Sequence, residues 1–291
     1  MSNINKLIQD LTLKEKISLL SGFNSWYTNK IDRLGIPSIK MSDGPNGVRG
    51  DSTSGKSSAC FPCAISIGSS WDMNLINQLG IALGQEAKVK DVDVLLGPTI
   101  NIHRHPLGGR HFECFSEDPF LTGKIATEYV KGVQSQEVAA CLKHFIGNDT
   151  EYERHLVSSN IDEKTLREIY LLPFEMGIKD GDAKVVMSAY NKLNNIYCSS
   201  HKELLIDILK NEWGFDGYVV SDWGAALETE KNAIGGLDLE MPGPGNVWGD
   251  QLFTAVNEGK VQEELINDKV RRILNIAKFS KRFENPVNKP E

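Results

Sequence analysis

Asp222 stands at the end of an apolar run. In Gly217–Ala225, GYVVSDWGA, residues suited to a buried strand lead into Ser221, Asp222 and Trp223. A carboxylate there either caps the next helix or is held still to act on something, and spacing alone leaves both open. Other apolar runs end in the same manner. After 38–42 comes Asp43 in DGPNGVRG; after 92–96 comes GPTINIHRHPLGGR, ending in Arg110. After 138–142 comes KHFIGNDTEYERH, opening with Lys143 and His144, and after 184–187 comes SAYNKLNN. Lys-His after a buried run is chemically odd unless something polar awaits it, since burying an unpaired ammonium is costly. Converging, these ends make a pocket with two carboxylates, several donors and a tryptophan. A sugar asks for that mixture: hydroxyls need donors and acceptors, and the ring face needs an aromatic platform. A phosphate would ask for a glycine-rich loop at a helix start. A metal would ask for clustered histidines, and His103 and His105 have no third ligand nearby.

The elements that must position these residues alternate. Strands are expected at 92–96, 138–142, 184–190, 217–221 and 237–241, with weaker ones near 38–42 and 64–67. Helices fit 74–88, 119–134, 163–179, 225–234, 248–257 and 262–280. Thr12 with Glu15, and Ser200 with Glu203, have capping-box spacing. Short buried strands alternating with helices imply an α/β fold with a parallel sheet, best met by a single (β/α)8 TIM-like barrel, incomplete or distorted in part. No glycine-rich dinucleotide fingerprint follows an early strand. The barrel is expected over 1–280, and the polar, proline-bearing KRFENPVNKPE of 281–291 reads as the start of a linker.

The 291 residues are 40% hydrophobic and 24% charged, with net charge −7 from 32 basic and 39 acidic side chains. No basic run suggests nucleic acid, and no apolar run reaches the 18 or so residues of a membrane span. The N-terminus lacks an apolar secretory core, so a cytoplasmic protein is expected. Five cysteines are an odd number for a disulfide framework, and CFPC at 60–63 has no second pair for zinc. Reduced structural thiols, and no metal or cofactor, are expected.

SDGPNGVR (42–49), NIHRHPLGGRHFECFSEDPFLTG (101–123), KHFIGNDTEYERH (143–155), VMSAYNKLNN (186–195) and GFDGYVVSDWGA (214–225) together resemble glycoside hydrolase family 3, most of all its bacterial β-glucosidases. The resemblance implies a retaining enzyme that removes terminal non-reducing β-D-glucosyl residues, with Asp222 as nucleophile. It implies that Asp43 grips hydroxyls on the far side of the sugar. Arg110, Lys143 and His144 would donate to adjacent hydroxyls, with Arg154 as a further donor. Met187 and Tyr190 would line the pocket, Tyr190 bonding the nucleophile or the 2-hydroxyl, and Trp223 would form a wall. Arg104 and His105 would shape their loop, and Ser116 would cap the helix near Pro119.

A retaining glycosidase also needs an acid/base about 5–5.5 Å from the nucleophile. In the β-glucosidases this sequence resembles, that glutamate lies on a C-terminal α/β sandwich domain after the barrel. No segment here corresponds to it, so low activity is expected from the barrel alone. A single-barrel subset, the β-N-acetylhexosaminidases, uses a loop histidine as acid/base. His155, after Glu153, stands on that loop, although NDTEYERH departs from the subset's Asp-Ser-His form. A sugar-binding scaffold barrel with little turnover is the third reading.

Overall fold

The computed structural model describes residues 4–49 and 57–286. Strands β1 (Met41–Asp43), β2 (Val94–Leu96), β3 (Ala139–Phe145), β5 (Val185–Ser188) and β8 (Tyr218–Ser221) form one parallel sheet in the order β1-β2-β3-β5-β8. Every residue of β2, β3, β5 and β8 is buried, as befits a parallel sheet covered on both faces. Two-residue strands β4 (Ser158–Ser159), β6 (Lys192–Leu193) and β7 (Ile196–Tyr197) make a small separate sheet.

Single bridges carry the curled sheet round towards its own start. Val220 pairs with Leu239 and Ser21 with Glu240, both parallel, while Gly22–Thr28 and Tyr27–Lys40 are antiparallel. The described ring thus has five ladder strands and three bridge-held staves, the last of them running backwards beside β1. This is the expected barrel in distorted form. The expected strand at 237–241 is one of the bridge-held staves rather than a ladder strand. Residues 64–67 are not a strand at all but part of the short helix Ala64–Gly68, because β1 is already flanked by β2 and by the Tyr27 stave.

Helices cover the outside of the sheet. Met73–Val89 and Pro119–Gln134 start at Asp72 and Asp118, whose carboxylates accept from Leu75 N (3.0 Å) and Leu121 N (2.6 Å). Asp118, not Ser116, is therefore the cap; the Ser116 hydroxyl accepts from Asp118 N at 3.0 Å. The helical run over 163–179 is π-wound between Leu166 and Leu171, and Phe174 meets Phe145 of β3 edge-on, centroids 4.9 Å apart. Each such buried side chain contributes about 1.5–3 kcal/mol. The Thr12–Glu15 capping box forms, at 3.3 and 2.8 Å. The Ser200–Glu203 box does not: Ser200 donates to the Tyr197 carbonyl at 3.3 Å, and His201 Nδ1 accepts from Leu204 N at 3.4 Å. The expected helix at 225–234 begins only at Thr229. The last helix spans Glu263–Phe279.

Charged side chains at the N-terminal ends of the strands are paired with one another. Arg282 Nε reaches both Asp93 carboxylate oxygens at 2.8 and 2.9 Å, so the packed body continues past Phe279; residues 287–291 of the expected linker lie outside the described residues. Asp238, fully buried, accepts from Lys210 Nζ at 2.7 Å and from Val219 N at 2.8 Å. Lys269 Nζ donates to the Leu237 carbonyl at 2.6 Å. Burial pulls the Lys269 ammonium down to about 7, with Asp238 resisting and Lys210 adding to the fall. Because the unfolded chain holds this proton up to the ordinary lysine value, folding gains stability as pH rises from about 7 to 10. A Lys269→Met variant should lack that gain. The thermal midpoint of the native chain is therefore expected to rise relative to the variant's between pH 7 and 10, by an equivalent of a few kcal/mol.

All five cysteines are free, and Cys114, Cys141 and Cys198 are buried. Among the described residues no group of three or more His, Cys, Asp or Glu could hold a metal, and no helix is long and apolar enough to cross a membrane.

Candidate active site

Asp222 follows β8 directly. Its N–H donates to the Ser188 carbonyl at 3.1 Å, carrying the β5–β8 ladder one residue further. The chain then turns: Ala225 N donates to the Asp222 carbonyl and Gly224 N to the Met241 carbonyl, both at 2.8 Å. Gly224 takes φ +82°, a conformation that costs a side-chain-bearing residue about 1 kcal/mol or more. Gly217, just before β8, has a different reason to be glycine, since an added Cβ would lie 2.0 Å from the Lys184 carbonyl oxygen. Asp222 is six residues short of the helix Glu228 precedes, so it does not cap that helix. Its Oδ1 accepts from Trp223 N at 2.7 Å, while Oδ2 is buried with no hydrogen-bond partner.

The strand ends open into a cavity of about 190 Å³. This is smaller than the roughly 300 Å³ or more of a drug-sized pocket and suits one sugar ring. All nine side chains expected from the sequence line it, with Trp26 and Leu96. β3 supplies the charged wall. Its register against β5 shifts between Leu142 and Phe145, where Lys143 and His144 stand. Lys143, 3% exposed, donates to Asp43 Oδ1 at 2.8 Å. That pairing explains how an ammonium can be buried beside an apolar strand. Burial works to raise the Asp43 carboxyl, but the Lys143 charge and hydrogen bond prevail and hold it below its ordinary value.

Arg110 and Arg154 are braced by carboxylates. Arg110 Nε meets Glu113 at 2.5 Å and its guanidinium lies 3.7 Å from Glu151, which also takes Arg154 at 2.6 Å. Thr99 donates to the second oxygen of Glu113 at 3.0 Å. Arg154 lies over the Tyr190 ring, 4.4 Å from its centroid. The Tyr190 hydroxyl donates to the Trp223 carbonyl at 3.0 Å and also favours the ionised form of Asp222. Met187, buried on β5 opposite Val220, fills the floor. Trp223 Nε1 donates to the Ser25 carbonyl at 3.0 Å, and its ring lies 5.6 Å from that of Trp26. The cavity is thus cationic on one side and aromatic on the other.

Burial raises the Asp222 carboxyl, with Lys143, the Trp223 N–H and Arg110 resisting in that order. Burial drives His144 well below the ordinary imidazole value, reinforced by Arg110, Lys143 and Arg154. His144 is therefore neutral near pH 7, and its 3.6 Å approach to Asp222 Oδ2 is not an ion pair. Arg104 and His105 hold their own loop, as expected: Arg104 bonds the Tyr170 hydroxyl, and His105 Nδ1 accepts from Leu107 N at 3.2 Å.

Residues 7–276 match the family described as "Glycosyl hydrolase family 3 N terminal domain". The chain belongs to glycoside hydrolase family 3. It is 52% identical over 283 residues to a protein named beta-glucosidase from Rhizobium radiobacter, covering 97% of this chain and 35% of that one. It is 47% identical over 282 residues to thermostable beta-glucosidase B of Acetivibrio thermocellus, covering 94% and 37%. The solved structure of beta-glucosidase from Kluyveromyces marxianus in complex with glucose superposes with TM-score 0.95 at 42% identity, over all of this chain and 36% of that one. Beta-glucosidase 3B from Thermotoga neapolitana, also with glucose, gives 0.93 at 39% identity over 99% and 44%. The chain spans about a third of the length of the curated relatives it matches.

In this family 3 barrel His155 is exposed and does not line the cavity; it packs edge-on against Tyr190 at 4.4 Å. Glu153 is exposed as well. Sequence reasoning missed Trp26 and Asn101. Trp26 sits in GFNSWYTN, where Asn24 Oδ1 accepts from the N–H groups of Trp26 and Tyr27 at 2.9 and 3.0 Å. The Asn-Ser turn before an aromatic pair was the available signal. Asn101 brackets the His144 backbone; it opens the NIHRHPLGGR motif, but its residue type there does not mark that role.

Proposed function

We propose that this barrel carries the glycone site and nucleophile of a retaining β-glucosidase that removes terminal non-reducing β-D-glucosyl residues. The observation that carries the reading is Asp222 Oδ2: a buried carboxylate oxygen at the cavity, without a hydrogen bond, kept reactive by Lys143 and Arg110. In the proposed step Oδ2 attacks the anomeric carbon, the bond to the aglycone oxygen breaks with its electron pair, and a glycosyl ester forms. Water then displaces the carboxylate from the opposite face, so configuration is retained. Asp43 accepts from hydroxyls while Arg110, Lys143 and Arg154 donate, and Trp223 with Trp26 faces the ring. The relatives named β-glucosidase, two of them solved with glucose, support this choice of sugar.

The leaving oxygen needs a proton. Among the described residues, Asp43 and Asp222 are the carboxyl groups lining the cavity, and Lys143 keeps Asp43 ionised, which unfits it as a donor. We assign the acid/base to an α/β sandwich domain joined to the barrel beyond the packed Arg282, as the greater length of the β-glucosidase relatives suggests. Activity of these 291 residues alone should then depend steeply on the leaving group. Dinitrophenyl β-glucoside is expected to release its phenolate, while cellobiose is cleaved slower by about 10²–10⁴ than when the companion domain is joined. Rates on both substrates that ignore the companion domain would contradict the assignment and direct attention to His155. Glucoside binding without any turnover, companion domain included, would favour a sugar-binding scaffold.

A further inference from the structure

Two buried side chains beside Asp222 fix each other's chemistry. Asn101, 5% exposed, brackets the His144 peptide: its Nδ2 donates to the His144 carbonyl and its Oδ1 accepts from the His144 N–H, each at 2.9 Å. Reversing the amide would set oxygen against oxygen and N–H against NH2, so the backbone dictates which end is which. Oδ1 also lies 3.3 Å from His144 Nδ1. An amide oxygen can only accept, so Nδ1 carries the proton. On the other side of the ring, Arg110 Nη2 lies 3.2 Å from Nε2. A guanidinium can only donate, so Nε2 presents its lone pair. Both neighbours demand the same tautomer, and the neutrality of the buried imidazole leaves no second proton to place.

We propose that Asn101 is a positioning residue that locks His144 in the Nδ1-protonated tautomer, with its Nε2 lone pair turned to Arg110, so that a ligand hydroxyl at this corner finds no proton on His144 Nε2 and must donate its own to the unpartnered Asp222 Oδ2. Those two atoms are 3.6 Å apart and both accept. A bound sugar therefore has to bring a hydroxyl proton to this corner; His144 does not give one. This reverses the donor role that the family resemblance implies for His144, and it rests on the reading of the cavity as a sugar site.

The test is the tautomer itself, read by long-range proton–nitrogen correlation on histidine-¹⁵N-labelled protein without sugar, with His144→Gln to assign the signal. The expected result is a neutral ring with Nδ1 protonated and Nε2 bare at pH 7. An Nε2–H ring or an imidazolium would overturn the proposal. Asn101→Leu is expected to bring an Nε2–H population and to weaken glucose binding by about tenfold, as loss of one buried hydrogen bond does. An unchanged tautomer and affinity in that variant would show that Arg110 acts alone, and the role of Asn101 would fall. The expected tautomer in a protein with no affinity for glucose would instead sink the sugar-site reading.

Discussion

Asp222→Ala is expected to lower kcat/KM on dinitrophenyl β-glucoside by on the order of 10⁴-fold or more, the scale at which loss of a covalent catalytic group is felt. Azide should then restore product release by entering the space vacated by the carboxylate. Its nitrogen would attack the anomeric carbon directly, and the glucosyl azide formed would have inverted configuration. The fold should survive. Asp222 Oδ2 makes no hydrogen bond, so its removal orphans no partner there, and the Trp223 N–H stands at a cavity where water can take over. Stability should change with pH in a definite direction. Burial raises the folded carboxyl above its unfolded value. Ionised Asp222 therefore penalises folding above the ordinary carboxylate range, and the penalty disappears once acid protonates the group in both states. The variant should thus match or exceed the native thermal midpoint by a few degrees near pH 7, an advantage that fades in acid. Activity measured with and without azide, beside thermal unfolding across pH, checks both halves.

Lys143→Met is expected to be the next most damaging change. It removes the hydrogen bond that holds Asp43 and the charge that most resists the upward push of burial on Asp222. Both carboxyl groups should rise when it goes. The acid limb of the pH–rate profile is then expected to move to higher pH, since Asp222 must be ionised to attack. Affinity for glucose should fall about 10²–10³-fold at neutral pH, the scale of a lost charge-assisted bond plus a partner left unpaired. Methionine keeps the length and apolar stem of the lysine, so the β3 packing should hold. A profile shifted to lower pH, or unshifted, would contradict the electrostatic account. Glucose titration and a pH–rate profile on an aryl glucoside measure both effects.

The chemistry at the strand ends is legible in the sequence because each strand is short, apolar and followed at once by its functional group. Asp43, Lys143–His144, Met187–Tyr190 and Asp222–Trp223 lie in or just after β1, β3, β5 and β8, so placing the strands places them. Arg110 and Arg154 sit on long loops, and only the family motif brings them to the cavity. What escaped the sequence is held by single contacts without periodicity. The staves at Ser21–Gly22 and Tyr27–Thr28 are pinned by isolated bridges, and GFNSW has none of the alternation of a strand. Trp26 rides on that segment and was missed with it. Residues 64–67 have the composition of a strand but meet a closed edge, and wind into a helix. Ser200 fits a capping pattern but belongs to the preceding 3₁₀ turn, leaving His201 to meet the first helical amide.

The nucleophile is tested most directly by trapping. A 2-deoxy-2-fluoro-β-glucoside with a dinitrophenolate leaving group needs no acid to depart, and its fluorine slows hydrolysis of the ester. Incubated with this barrel, alone and joined to the proposed companion domain, it is predicted to add one fluoroglucosyl group per chain. Peptide mass spectrometry should find that group on Asp222, and the Asp222→Ala chain should take none. A label on any other carboxylate, or no label from the joined protein while it turns over glucosides, would contradict the account.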